Sequence, residues 1–169
     1  WAELNRDPLH PLENRLIRGK YSPGSTFKIL MAIAGLSEGV ITPETTVFCP
    51  GYANFYGRPF KCHKAGGHGT VDLRHAIEQS CNVFFYTLGS KMSIDTIHKY
   101  GQLLGLVGRT GIDLPGENES LVPSEEWKRQ TTGQPWYPGE TISVAIGQGA
   151  VTVTPISLAT LMATVANGG

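Results

Sequence analysis

Residues Tyr21–Leu30 read YSPGSTFKIL. Within this stretch Ser25-Thr26-Phe27-Lys28 puts a lysine three residues after a serine, and Ile29-Leu30-Met31-Ala32-Ile33-Ala34 follows as an apolar run. Pro23-Gly24 opens the segment, so the spacing predicts a helix from about Pro23 to Ser37, stopped near Gly39. Residues three apart share a helix face, which sets the Lys28 amine near the Ser25 hydroxyl. A serine is a weak nucleophile until a neighbouring base takes its proton. A lysine serves as that base if burial lowers its pKa. Backbone N–H groups at the helix start can help to bind an oxyanion. Ser-x-x-Lys alone also occurs on ordinary solvated helices, so its meaning depends on the rest of the chain.

Outward from this segment, residues 1–20 read as a polar, extended lead-in. Residues 42–69 form a loop region rich in Gly, Pro and aromatics, with short strands near 46–48 and 58–61. A helix is expected over 72–79, with Asp72 at its positive end. Val83 to Leu88 is a further apolar helical run. Ser93 is an N-cap for a helix through Leu104. Residues 112–116 read as a short edge element and turn, Pro123-Ser124 as the start of a short helix carrying Trp127, and 131–140 as a polar loop. Residues 141–146 alternate like a strand, Gly147-Gln148-Gly149 turns, and Thr154-Pro155 starts a last helix that ends at Asn167. Glu125-Glu126 reads as a solvated helix face. Trp136 and Tyr137 read as loop packing, with a share in a substrate groove as the alternative.

The chain has 169 residues, 40% of them hydrophobic and 17% charged, which is enough for one folded domain with a sizeable core. Fourteen basic residues balance fourteen acidic ones. A neutral chain with no basic stripe argues against nucleic acid as a partner. No apolar run reaches the ~18 residues of a membrane span, and no signal-peptide pattern is present. The first residue is Trp1 rather than Met, as expected if an upstream segment precedes it. The 21 glycines and 11 prolines favour many tight turns over a helical bundle.

Ser80-Cys81-Asn82 lies between two apolar helical stretches, 55 residues after Ser25. In a bent or extended turn residues 80 and 82 point one way and residue 81 the other. A hydroxyl and an amide then face a cleft; the alternative is a polar pair bonded only to local backbone. With both motifs in view, the sequence resembles the penicillin-binding proteins, whose first and second active-site motifs look like Pro23-Gly24-Ser25-Thr26-Phe27-Lys28 and Ser80-Cys81-Asn82. The resemblance runs in order along nearly the whole chain: Asn14-Arg15, Gly67-His68-Gly69, Phe84-Phe85-Tyr86, Thr110 to Pro115, Trp127-Lys128, Pro135-Trp136-Tyr137 with Gly139, and Ile146 to Gly149 with Thr154-Pro155. It is closest to the elongation-type class B members, which are cell-wall transpeptidases.

The resemblance implies an α/β (α+β) fold of the serine β-lactamase and transpeptidase type, with a helical subdomain against a partial antiparallel sheet. It implies that Ser25 attacks the D-Ala-D-Ala carbonyl of a peptidoglycan stem peptide, that Lys28 takes its proton, and that Ser80 and Asn82 relay the proton and orient the substrate. An amine of a neighbouring strand then resolves the acyl-enzyme, and β-lactam antibiotics acylate the same serine. Implied partners are stem peptides, β-lactams and a membrane glycosyltransferase of the elongation machinery. The implied location is anchored in the cytoplasmic membrane with the catalytic domain outside. The family's third motif, a Lys-Thr-Gly-type triad, is not found before Gly169. Residues 1–169 are therefore expected to be a partial transpeptidase domain, truncated before that motif. Rival readings are a class D-like serine β-lactamase, whose second motif is Ser-x-Val where Asn82 stands here, and a non-enzymatic sensor domain with an acylable serine.

Cys49, Cys62, His68 and Cys81 add a further constellation. Three thiolates and an imidazole make a complete tetrahedral zinc set, and elongation-type members are expected, by resemblance, to carry a metal cluster in this region. All four positions would be filled, so the metal's role would be structural, bracing the second motif from behind through Cys81. No cofactor is expected for catalysis. The alternatives are a Cys49–Cys62 disulfide and unlinked buried thiols, and His63 is the alternative imidazole.

Overall fold

The computed structural model describes residues 1–169 and is organised around two apolar helices. A 3₁₀ turn, Gly24–Phe27, runs straight into α3 (Lys28–Ser37), which buries Lys28, Leu30, Met31, Ala32, Ala34 and Gly35. α5 (Asn82–Gly89) buries Val83, Phe84, Phe85, Tyr86, Leu88 and Gly89. So much apolar surface around each helix requires packing on several faces. The two helices meet where α3 has a glycine: a methyl group on Gly35 would stand 2.9 Å from Leu88 Cδ1. On its other side α5 meets α8 (Pro138–Val144), where Gly89 leaves room for Ala145.

The remaining elements form a shell around this pair. α4 (Leu73–Glu78) begins at Asp72, whose carboxylate accepts the His75 N–H at 2.8 Å. α6 (Ile94–Leu103) is capped by Ser93 and α7 (Glu125–Thr132) by Ser124. α9 (Pro155–Ala166) is capped by Thr154. Ser120, Thr154 and Ser157 form a buried hydroxyl cluster at its start, with contacts of 2.8 to 3.3 Å. Two small antiparallel sheets pack against α5, with Phe55 and Phe60 on Tyr86. β1 (Val47–Cys49) pairs with β4 (Gly69–Val71), with Cys49 opposite Gly69. β2 (Tyr52–Phe55) and β3 (Arg58–Lys61) form a hairpin closed by Tyr56-Gly57, both at positive φ as the two-residue turn requires. Single bridges Tyr21–Val153 and Leu121–Thr152 tie the lead-in of the first motif to the segment before α9.

The architecture is the expected mix of helices and antiparallel sheet, and most helices fall where the caps put them. Four local expectations differ. Residues 1–20 are not extended: they hold α1 (Ala2–Arg6) and α2 (Arg15–Arg18), the second capped by the Asn14 side chain. The expected strand over 141–146 is helix α8 and the turn after it. Thr141, Ile142, Val144, Ala145 and Ile146 are buried and only Ser143 is not, a burial pattern that does not alternate as a strand's would. The expected loop over 131–140 is shorter, ending α7 at left-handed Gly133 and starting α8 at Pro138. Residues 112–116 form bends and a turn, with no edge strand.

Candidate active site and cysteine–histidine cluster

The turn Pro23-Gly24-Ser25 is pinned from outside. The Gly24 N–H donates to the Gly147 carbonyl at 3.0 Å. Gly147 is at φ 69, and a Cβ there would stand 2.2 Å from the Gly24 oxygen, so only glycine fits. Ser25 is left exposed while Phe27 and Lys28 point into the protein.

Lys28 is 2% exposed, and its ammonium makes three hydrogen bonds. It donates to the Ser80 carbonyl at 2.7 Å, to Ser80 Oγ at 2.9 Å and to Asn82 Oδ1 at 2.7 Å. Ser80 Oγ in turn lies 2.9 Å from Ser25 Oγ. The four residues singled out from the sequence are thus brought together by one hydrogen-bond chain. One detail differs from the simple helix picture: no hydrogen bond joins Lys28 directly to Ser25, and Ser80 stands between them. Burial lowers the Lys28 pKa to about 8, against the raising effect of the Cys62 and Cys81 sulfurs. An amine with that pKa is neutral in an appreciable fraction near neutral pH, as a proton acceptor must be.

Ser80 reaches this position through a left-handed backbone, φ 53, which a residue with a Cβ adopts at a cost of about 1–2 kcal/mol. Cys81 then turns extended (φ −64, ψ 112) as the residue before α5, and Asn82 begins the helix. Residues 80 and 82 face Lys28, and Cys81 is fully buried on the other side.

Behind the motif, the ligand atoms of Cys49, Cys62, His68 and Cys81 all lie within 4.8 Å of one another. His68 Nδ1 is 3.5 Å from Cys49 Sγ and 3.6 Å from Cys62 Sγ. Ligands about 2.0–2.3 Å from a tetrahedral centre stand roughly 3.5–3.8 Å apart, so the donor set fits zinc in type and spacing. The three cysteines carry no disulfide. Burial raises the Cys62 pKa, but N–H groups of Lys64, Asn82 and Val83 outweigh it and favour the thiolate. Burial pushes Cys81 up to about 12. Burial, with His63, Lys64 and Lys28 nearby, lowers the His68 pKa and keeps its ring neutral. His63 Nδ1 lies farther off, 3.9 Å from Cys62 Sγ. The Asn82 N–H donates to Cys62 Sγ at 3.3 Å, a direct bond between the cluster and the second motif.

A cavity of about 180 Å³ opens above Ser25 and is lined also by Gly24, Ser80, Asn82, His63, Ile146 and Gln148. The sequence points to the last three only as an alternative imidazole (His63) and as part of the Ile146–Gly149 segment, not as walls of this cavity. Gln148 was hidden in a tight turn, although a polar residue held exposed between two glycines is the sort of signal that marks a cleft wall.

The family model for the penicillin binding protein transpeptidase domain matches residues 2–169. The peptidoglycan D,D-transpeptidase MrdA of Acinetobacter baumannii is 44% identical over 171 aligned positions, covering all of this chain and 25% of that protein. The chain thus spans about a quarter of the length of the curated relatives it matches. Among solved structures, Pseudomonas aeruginosa PBP2 in complex with WCK 5153 superposes with a TM-score of 0.96 at 44% identity, over 99% of this chain and 39% of that one. The imipenem acyl-enzyme of penicillin-binding protein A from M. tuberculosis superposes with a TM-score of 0.86 at 29% identity, over all of this chain and 37% of that one.

Proposed function

Because the chain belongs to the penicillin-binding protein transpeptidase family, we propose that it carries the nucleophilic half of a peptidoglycan D,D-transpeptidase site. The observation that carries this reading is the chain Ser25–Ser80–Lys28, closed by Asn82. Ser25 Oγ attacks the penultimate D-Ala carbonyl of a stem peptide. Its proton passes to Ser80 Oγ, whose own proton passes to neutral Lys28. The tetrahedral intermediate collapses by breaking the C–N bond, and the leaving D-Ala amine takes the proton back through Ser80. Asn82 holds the substrate amide. The acyl ester on Ser25 is then attacked by an amine of a second strand, which releases the cross-link and restores the Ser25 hydroxyl. β-Lactams enter at the first step and stop there, as the imipenem acyl-enzyme of the M. tuberculosis relative illustrates.

The setting proposed for the intact protein follows from the same reading. The domain works outside a cytoplasmic membrane that anchors the protein, alongside a membrane glycosyltransferase that makes the strands to be cross-linked. No helix of this chain is long and apolar enough to cross a membrane. Cys49, Cys62, His68 and Cys81 would hold a structural zinc. When bound it would supply charge balance for the thiolates and a cross-link between the 49–68 region and Cys81, with no part in the reaction.

Labelled penicillin and intact-protein mass spectrometry test the catalytic reading. One adduct on Ser25 is expected, absent in Ser25→Ala; labelling at another residue, or none, refutes it. Fast turnover of nitrocefin, in place of one stoichiometric burst, would move the assignment to a β-lactamase. For the metal, X-ray fluorescence of protein purified without chelators should show one zinc per chain, and its absence removes that part of the proposal.

A further inference from the structure

The cavity above Ser25 has a larger neighbour. A second cavity, about 640 Å³, lies between the β2–β3 hairpin and the start of α8. Two chain segments line both cavities. On one side, Arg58, Pro59 and Phe60 wall the large cavity, and the same segment continues to His63 in the small one. On the other side, Tyr137 to Ser143 wall the large cavity, and the chain continues to Ile146 and Gln148 in the small one. Ser143 and Gln148 are joined directly, the Gln148 N–H donating to the Ser143 carbonyl at 3.1 Å. The same two segments therefore flank both cavities, which have no lining residue in common.

The larger cavity has a definite chemistry. Tyr56 and Tyr137 are 61% and 53% exposed there, and Arg58 is exposed without an ion pair. Tyr56 sits at φ 51 in a turn position that favours Asn or Gly, so hairpin folding does not explain an exposed aromatic at this place. Between Thr45 and Val71 the chain has Arg58, Lys61 and Lys64 and no acidic residue. The one carboxylate on the opposite wall, Glu140, is taken up by Lys128 and by the Tyr137 N–H.

We infer that this larger cavity binds the amino-sugar end of the same peptidoglycan strand whose stem peptide is acylated at Ser25. The inference rests on the transpeptidase reading and adds a second subsite to it. The exposed Tyr56 ring, with the face of Tyr137 opposite Lys128 Nζ (4.5 Å from the ring centroid), suits the aliphatic faces of pyranose rings, and the free Arg58 guanidinium suits the N-acetyl carbonyl and hydroxyl oxygens of an amino sugar. The lengths agree. Pro59 to His63 spans at most about 13 Å, β3 ending at Lys61, within the about 17 Å of an extended pentapeptide. A stem peptide with its D-Ala end at Ser25 thus delivers its sugar-linked end to the aromatic cavity.

The test uses the intact protein and two soluble donors, a disaccharide-pentapeptide and the free pentapeptide, with D-Ala release as the readout. The expected result is roughly tenfold higher kcat/KM for the disaccharide form, carried in KM, and a ratio near one in Arg58→Ala and in Tyr56→Ala, with Arg58→Lys recovering part of it. Saturation-transfer NMR on Ser25→Ala supplies a measurement independent of turnover and of those variants: the sugar protons should receive saturation as strongly as the terminal D-Ala. A ratio near one in the unsubstituted protein, a ratio retained in both variants, or sugar protons without saturation overturns the second subsite. Absence of penicillin labelling at Ser25 would instead overturn the transpeptidase reading beneath it, so the two failures are distinct.

Discussion

Raising the pH from 7 to 9 should speed acylation of Ser25 about tenfold. The reasoning starts at the Lys28 ammonium, whose three protons are all donated, to Ser80 O, Ser80 Oγ and Asn82 Oδ1. In that state Lys28 has nothing with which to accept. It becomes a base only when neutral, and burial has brought its pKa from an ordinary 10.5 to about 8. The neutral fraction is then about one tenth at pH 7, one half at pH 8 and nine tenths at pH 9. The sign is fixed by the role: a base gains activity as pH rises through its pKa, where an acid would lose it. Stopped-flow fluorescence with a reporter penicillin, read as second-order rate constants from pH 6 to 10, gives the profile. Lys28→Gln should lower the plateau by about 10²–10⁴ and abolish the rising limb. A flat wild-type profile, or a limb centred near 10.5, refutes the assignment of Lys28 as a buried base tuned to this range.

Three other outcomes follow from the geometry. Ser80→Ala removes the only bridge between Lys28 and Ser25, so acylation should fall by about 10²-fold or more in the same stopped-flow assay while the melting temperature holds; near-normal acylation would mean that the proton takes another route. Gly147→Ala forces a methyl group to within 2.2 Å of the Gly24 oxygen, and thermal denaturation should report a loss of about 1–3 kcal/mol together with slower acylation; an unchanged melting point would show that the turn yields freely. Cys49→Ser should leave less than a tenth of the metal by plasma mass spectrometry and speed amide exchange over residues 47–71, and full metal retention would place the ligands elsewhere.

The readable parts of this chain were those whose physics is local. Caps at Asp72, Ser93, Ser124 and Thr154 announced four helices because a side chain and a backbone N–H a few residues away decide them. The spacing of Ser25 to Lys28 and of Ser80 to Asn82 carried the site residues, and the family resemblance supplied the reason to join them across 55 positions. What could not be read was set by tertiary contacts. α8 resembled a strand because six residues are too few to separate the two periods, and its contact with Gly89 decides the matter. β2 and β4 were missed: each has three or four residues and a weak strand composition, and each exists through its partner. His63, Ile146 and Gln148 come to the Ser25 cavity from segments whose approach no local pattern encodes. The insertion of Ser80 between lysine and nucleophile depends on a left-handed residue, which sequence propensity for serine does not suggest.

That left-handed serine sets folding against chemistry at a single codon. At φ 53 a glycine would relieve the backbone and an asparagine would tolerate it better, yet neither has the hydroxyl that joins Lys28 to Ser25. A library of this domain sorted only for heat resistance will therefore enrich glycine or asparagine at position 80 and fill with well-folded, catalytically silent proteins. Sorting the same library for penicillin capture will retain serine and the strain that accompanies it. Residue frequencies at position 80 under the two selections will read the trade-off directly, without purification of any variant.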